Sequence, residues 1–408
     1  MNAVETIRNF NAGRDPERLA MKYANLRKSP FVFLRGTCHL FYRRLSEARM
    51  RVKAPTVWCC GDLHLENFGS FKGDNRLVYF DINDFDESAL APASWDLVRF
   101  LTSVLLAADD LKADAAQAGK LCDAFVRTYA AALASGSPRW IERDTAGGLI
   151  EELLGSLESR TRVRHLNERT ERKGGKGGRR KIRCDGKRAL PVSDAERARV
   201  EKMIGSHAQT LTRAQTRAWP EFFEVLDVAH RIAGTGSLGL KRYVGLIEGK
   251  GSPNANYLLD LKESVPSSLV PHLRTKQPEW ATQADRIVAV QRRVQAAPMA
   301  FLHAIERRKT SYVLRGLQPS EDRVALYESG VEFDKVQGVV EEMGRIVAWG
   351  QLRSSGRQGS AIADELIEFG STRKAWHSEL VSAAQRCAKL VRKDWVSYCT
   401  AYDAGAVR

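Results

Sequence analysis

The sequence predicts an α+β protein in which a small antiparallel sheet module is embedded in a larger helical one. Short apolar runs separated by turn residues cluster between Phe222 and Leu314, and segments of helical periodicity flank them on both sides. At 408 residues the chain also exceeds what one hydrophobic core usually supports, so two lobes with a cleft between them are expected. Small ligands bind in such clefts.

In chain order, Leu19 to Leu26 is helical, and the apolar Phe31-Val32-Phe33-Leu34 predicts a strand before Arg35-Gly36. Thr56 to Cys60 is a buried-strand run that ends at Gly61, and Leu77 to Phe80 closes a small hairpin and delivers the acidic string Asp81 to Asp86. Helices follow over Trp95 to Ala108 and Ala115 to Ala134. Strands are expected at Val225 to Ile232, Leu240 to Ile247, Tyr257 to Leu261 and Ser311 to Leu314. Helices are expected at Thr282 to Gln295, Phe333 to Leu352 and Ile362 to Tyr402. No internal repeat is present.

A net charge of +15 raises the question of nucleic acid, but the excess is local. Between Arg160 and Arg188 thirteen Lys or Arg face three acids, Glu168, Glu171 and Asp185. With Gly174, Gly175, Gly177 and Gly178 inside it, this run reads as a solvated, mobile loop; a landing strip for an acidic partner or nucleic acid is the minority reading. The longest apolar stretch, Phe100 to Ala108, is too short to span a bilayer, and Met1 to Asp15 lacks a signal pattern. Seven cysteines without a C-x-x-C spacing suit a reducing compartment, so a cytoplasmic protein without a membrane partner is expected. Adjacent Cys59 and Cys60 are better read as buried thiols than as a metal pair.

The chemistry-bearing segments are two. Gly61-Asp62-Leu63-His64-Leu65-Glu66-Asn67 follows a strand and places an Asp five residues before an Asn. Phosphoryl transfer needs a carboxylate to orient the attacking hydroxyl and oxygen ligands for Mg²⁺. Asp62 fits the first role and Asn67 the second. Asp84, seventeen residues after Asn67, fits as the second metal ligand, with Asp86 a further contact. The bland reading of Asp62 and Asn67 is an Asx-turn pair closing a hairpin. His64 either faces the metal region or braces the loop. A binuclear metallophosphoesterase would need several His and Asp ligands in separate loops, and the eight scattered histidines do not assemble one.

The second segment is a glycine-rich turn, Gly234-Thr235-Gly236-Ser237-Leu238-Gly239. Backbone N–H groups in such a turn can approach phosphate oxygens, because glycine removes the side chain that would keep them apart. A strand on both sides favours a lid over a dinucleotide fold, in which a helix would follow. Lys262 then stands in an apolar strand, placed to grip phosphates. Its bland alternatives are a hairpin tip and a solvent-facing strand end. Among Asp285, Glu279, Glu263 and the neutral Gln291, no carboxylate partner for Lys262 stands out.

Gly61-Asp62-x-His64-x-x-Asn67, Asp84-Phe85 and Asp96-Leu97 resemble the aminoglycoside and choline kinase-like branch of the protein-kinase superfamily. That resemblance implies a bilobal kinase-like fold, with ATP and Mg²⁺ as cofactors and Asp62 as catalytic base. It makes Asn67, Asp84 and Asp86 the metal set, Gly234 to Gly239 with Lys262 the nucleotide clamp, and Asp96 a helix-start brace. Cys60 stands where the branch usually has His. The segments occur in circularly permuted order, the acidic half first, and the order closes when Phe333 to Leu352 is taken as the helix before the catalytic loop.

The whole chain resembles the bacterial family called domain of unknown function 2252, through Ser29 to Gly36, Gly61 to Gly69, Asn83 to Glu87, Gly234 to Arg242 and Lys262-Glu263, with Arg286, Gln291 and Gln295. Gly350-Gln351-Leu352-Arg353 lacks the His of that family's A-H-A-R-like segment. On these readings the parts are 1–56, an N-terminal helix and strand segment; 57–145, the catalytic and metal loops; 146–220, a variable basic insertion; 221–320, the sheet lobe; and 321–408, C-terminal helices completing the helical lobe. The expected function is phosphoryl transfer from ATP to a small hydroxylated molecule or a protein side chain. The alternative is a nucleotide-binding pseudokinase or a nucleotidyl-transferring regulator.

Overall fold

The computed structural model describes residues 2–48, 52–172, 178–211, 218–319, 323–328 and 330–407. Four short helices open the chain: α1 (Ala3–Phe10), α2 (Pro16–Leu26), α3 (Pro30–Gly36) and α4 (Cys38–Glu47). The expected strand at Phe31 to Leu34 is therefore a helix. Its start signal is local: Ser29 accepts from the Val32 N–H at 3.2 Å and Pro30 occupies the first turn. Four consecutive apolar residues have no period of their own, so the cap decides.

Strand β1 (Thr56–Cys59) pairs with β4 (Ala89–Pro92), while β2 (Phe68–Lys72) pairs with β3 (Val78–Ile82). The run Leu77 to Phe80 thus makes its hairpin with Phe68–Lys72 and not with the Thr56 run. The Gly61 to Asn67 and Asn83 to Glu87 loops emerge side by side between these two pairs. Helices α5 (Ala93–Leu106) and α6 (Ala115–Ala134) follow, then β5 (Ile141–Glu142) at the edge of β3.

The basic segment is built differently from the expected loop. Its described part forms α8 (Arg162–Arg169), after α7 (Gly148–Glu158), and a hairpin of β6 (Thr170–Arg172) and β7 (Arg180–Ile182). Gly174, Gly175 and Gly177 lie outside the described residues. Leu166 and Ile182 give this piece an apolar underside, and Arg180 is buried, donating to the Pro253 carbonyl and to Thr170. Burying that underside is what holds a segment otherwise rich in like charges.

After β8 (Ala189–Leu190) and α9 (Asp194–Thr210) come β9 (Val225–Arg231), β10 (Arg242–Ile247) and β11 (Tyr257–Ser264). Next are α10 (Gln283–Val294), β12 (His303–Arg307) and β13 (Thr310–Gly316). The sheet has the order β12-β13-β11-β10-β9-β8, antiparallel throughout. Strand β12 had no sequence signal. Alternation puts Tyr243, Leu259, Leu261, Tyr312 and Leu314 on one face, packed against Met203 and Ile204 of α9. The other face is covered at one end by Leu166 and Ile182 of the basic segment and at the other, around Lys262, looks toward the helical part.

That part is completed by α11 (Phe333–Ser354), α12 (Ala363–Ser371) and α13 (Arg373–Asp403), of which α11 lies along α6 and α13 along α5. Gly344 of α11 permits the approach to α6, since a Cβ there would sit 2.6 Å from the Phe125 carbonyl. The architecture is mixed α+β with antiparallel sheets. Among the described residues no helix is long and apolar enough to cross a membrane.

Candidate active site

The loop after β1 turns at Gly61, where a φ of +84° and the Glu87 carbonyl, which an added Cβ would meet at 2.0 Å, leave no room for a side chain. Asp96, in the first turn of α5, fixes the loop: its two carboxylate oxygens accept from the Cys60 N–H at 2.9 Å and the Gly61 N–H at 3.0 Å. Burial pushes the Asp96 carboxyl up to about 6, against those two bonds. His64 braces the loop, its Nδ1 accepting from the Glu66 N–H at 3.1 Å, and burial drives its pKa well below the ordinary value.

Asn67 joins the two acidic loops. Its Nδ2 donates to the Asp62 carbonyl at 3.0 Å and the Asp84 carbonyl at 3.2 Å, and its Oδ1 accepts from the Asp84 N–H at 2.9 Å. An amide oxygen has two lone pairs, so Oδ1 keeps capacity for a second partner. Asp62 is held from behind by Arg99 of α5, which donates through Nε at 2.8 Å and also through Nη2, both to Oδ1. Burial raises the Asp62 carboxyl and Arg99 opposes that rise. Arg99, fully buried against the Phe41 and Tyr42 rings, is pulled down by burial and held above its ordinary value by Asp62.

Lys262 of β11 reaches across the cleft. Its Nζ lies 3.2 Å from Asp84 Oδ2 and makes a closer ion pair with Asp86. The partner that sequence did not supply for Lys262 is thus the pair Asp84 and Asp86. Gln291 does not substitute for it: its Nε2 donates to Gln295 at 3.1 Å, and Gln295 donates to the Ile82 carbonyl at 2.6 Å. Helix α10 instead braces the Asn83 to Ser88 loop through Arg286, which donates to the carbonyls of Ser88 at 2.5 Å, Asp86 at 2.8 Å and Val265 at 3.0 Å. Burial raises Asp84, but Lys262 and Arg315 outweigh it and hold this carboxyl well below the usual range. Burial and the neighbouring Asp84 charge push Asp86 the other way. The Asp84 side chain is 47% exposed, open to the cavity, and the Asp86 side chain 25%. Two carboxylates already converging on a cation form a hard-oxygen donor set that fits Mg²⁺.

The glycine turn closes the cavity from the sheet side, with Gly234, Thr235, Gly236 and Ser237 lining it. Gly234 and Gly239 have φ of +75° and +90°. Gly239 does not line the cavity; it packs on Arg14, which a Cβ would approach to 2.8 Å. The N-terminal helices pin the turn: the Gly236 carbonyl accepts from Arg14 at 3.0 Å and from buried Lys22 at 2.8 Å, and the Leu238 carbonyl accepts from Arg14 at 3.2 Å.

Sequence reasoning missed the most highly charged feature. Asp260 of β11, fully buried, accepts from Arg242 at 2.9 and 2.6 Å and from Arg315 at 3.2 Å, and pairs with Arg231 at 2.7 Å. Burial alone would raise Asp260; Arg231 and Arg242 hold it far below its usual value. Burial lowers Arg231 to about 10. The one available signal was a lone Asp inside Tyr257-Leu258-Leu259-Asp260-Leu261, since a buried charge in a strand requires partners. A smaller cluster stands at the rim, where Arg35 and Arg323 pair with Glu66 at 2.5 and 2.6 Å.

Fold and site together define a mixed α+β protein with a charged cleft between a six-stranded antiparallel sheet and a helical body. The family described as "Uncharacterized protein conserved in bacteria (DUF2252)" matches residues 14–401, and the chain belongs to it. No curated protein and no solved structure matches the chain.

Proposed function

We propose that the chain is a Mg²⁺-dependent phosphotransferase that uses ATP and acts on a hydroxyl of a small molecule or a protein. The observation that carries this is the 3.2 Å approach of the Lys262 ammonium to the Asp84 carboxylate, from opposite walls of a cavity that also exposes Asp62 and the glycine turn. A cation on one wall, paired acids on the other and a glycine turn above are what phosphoryl transfer requires of a protein. On this reading Asp84 and Asp86, with the spare lone pair of Asn67, would hold Mg²⁺, which when bound neutralises phosphate oxygens. Asp62 keeps Oδ2 for the acceptor hydroxyl while Arg99 occupies Oδ1. Lys262 exchanges its carboxylates for phosphate.

The same reading makes the two parts the lobes of a kinase-like fold joined in permuted order. Seven unpaired cysteines suit a cytoplasmic setting. The test is ATP consumption coupled to turnover over a panel of hydroxylated metabolites. Wild type turns over at least one of them and Asp62→Ala loses about 10³-fold or more. Equal silence of both proteins while ATP still binds would leave a nucleotide-binding module without catalysis.

A further inference from the structure

The cleft-facing surface of the sheet divides into two halves. Strand alternation sets Arg231, Arg242, Asp260, Lys262 and Arg315 on that face, with Arg242 opposite Lys262 and Asp260 opposite Arg315. Further along the same face come Ala229, Val244 and Leu258, with Ala189 of the edge strand, all buried against Leu166 and Ile182 of the basic insertion. The seam between them holds a cavity of only about 30 Å³, room for about two waters and not for a purine.

A nucleobase is bound by apolar and aromatic surface with a few polar groups. Here the insertion has taken the apolar half, and three guanidiniums around one carboxylate leave two positive charges in excess on the half that stays open. Among the described lining residues Phe10 is the one Phe, Tyr or Trp, and it is already stacked on His39 at 3.7 Å. The Arg14 guanidinium also lies over its ring, 5.2 Å from the centroid.

We infer that the donor is held through its phosphoanhydride chain, by Arg231, Arg242, Arg315 and Lys262, with no apolar sheet surface left open beside them to take a base, so that inorganic tripolyphosphate binds as tightly as a nucleoside triphosphate. This rests on the phosphotransfer reading and narrows it to a donor class of linear polyphosphates in which the nucleoside is optional. Arginine suits the task, because its planar fork matches phosphate oxygens and keeps its charge when desolvated.

Calorimetric titration of the full chain in Mg²⁺ with ATP, tripolyphosphate and adenosine tests it. ATP and tripolyphosphate should differ by less than about fivefold in Kd and adenosine should not bind. Arg315→Gln, checked for folding by its melt, should weaken both polyphosphates alike, by about tenfold. A preference for ATP beyond about fivefold, or binding of adenosine alone, overturns the inference and leaves phosphotransfer from ATP standing. Failure of both polyphosphates to bind overturns the two together. The wild-type comparison decides even if the variant does not fold.

Discussion

Replacing Asp260 by Asn keeps the size of the side chain and removes the one negative charge that three arginines share. In the native sheet the carboxylate pairs with Arg231 at 2.7 Å and Arg242 at 2.6 Å, with Arg315 at 3.2 Å, and is itself fully buried. Removing one member of a buried ion cluster costs about 3–5 kcal/mol, because the remaining charges keep their desolvation penalty and lose its compensation. For 408 residues, at about 2.1 cal/mol/K of unfolding entropy per residue, the melting temperature should fall by about 4–6 °C. The pH dependence follows from the depressed folded pKa. The carboxylate's contribution is fully present above the unfolded value of about 3.9 and is lost as pH falls through the folded one. The deficit of the variant is therefore constant from neutrality down to weak acid and shrinks only in strong acid. Circular-dichroism melts in phosphate-free buffer measure this, and added tripolyphosphate should restore more stability to the variant than to wild type, since the excess charge on the arginines has grown. A variant melting within about 2 °C of wild type would refute the reasoning, by showing that the arginines do not depend on Asp260.

Three further outcomes are expected. Gly61→Ala forces a Cβ to 2.0 Å from the Glu87 carbonyl at a φ of +84°, so stability should drop by about 3 kcal/mol or more with loss of activity, read from urea midpoints. Asp96, raised to about 6, favours folding while protonated and loses that advantage as pH rises through 6. The stability gap between wild type and Asp96→Asn should thus narrow by about 2 kcal/mol between pH 4 and pH 7. Arg286→Met strips the carbonyls of Asp86, Ser88 and Val265 of their donor. It should cost about 3 kcal/mol and weaken Mg²⁺-dependent ligand binding more than it alters the far-ultraviolet spectrum.

That the acidic residues would meet was readable because they stand at fixed local spacing. Asp62, Asn67 and Asp84 meet within one short stretch, and Asp96 caps the same loop from the following helix. Lys262 was readable as a charge at the end of an apolar strand, but its partner was not, since Asp84 lies 178 residues earlier and only the tertiary fold joins them. Arg99 hides in an otherwise apolar helix, and Arg231, Arg242 and Arg315 sit on three strands whose pairing order the sequence does not announce. The strand expected at Phe31 to Leu34 fell to a cap that was visible at Ser29-Pro30. The basic segment fell to Leu166 and Ile182, two apolar residues whose weight shows only when the sheet face they cover is known.

Crystals grown or soaked with Mn²⁺ and tripolyphosphate, read by the anomalous signal of the metal, probe the cleft most directly. Mn²⁺ should lie between the Asp84 and Asp86 carboxylates, with the Lys262 ammonium moved onto a phosphate oxygen and the chain running along Arg242 and Arg315. Metal bound elsewhere, with Lys262 still paired to both acids while the ligand sits outside the cavity, would contradict it.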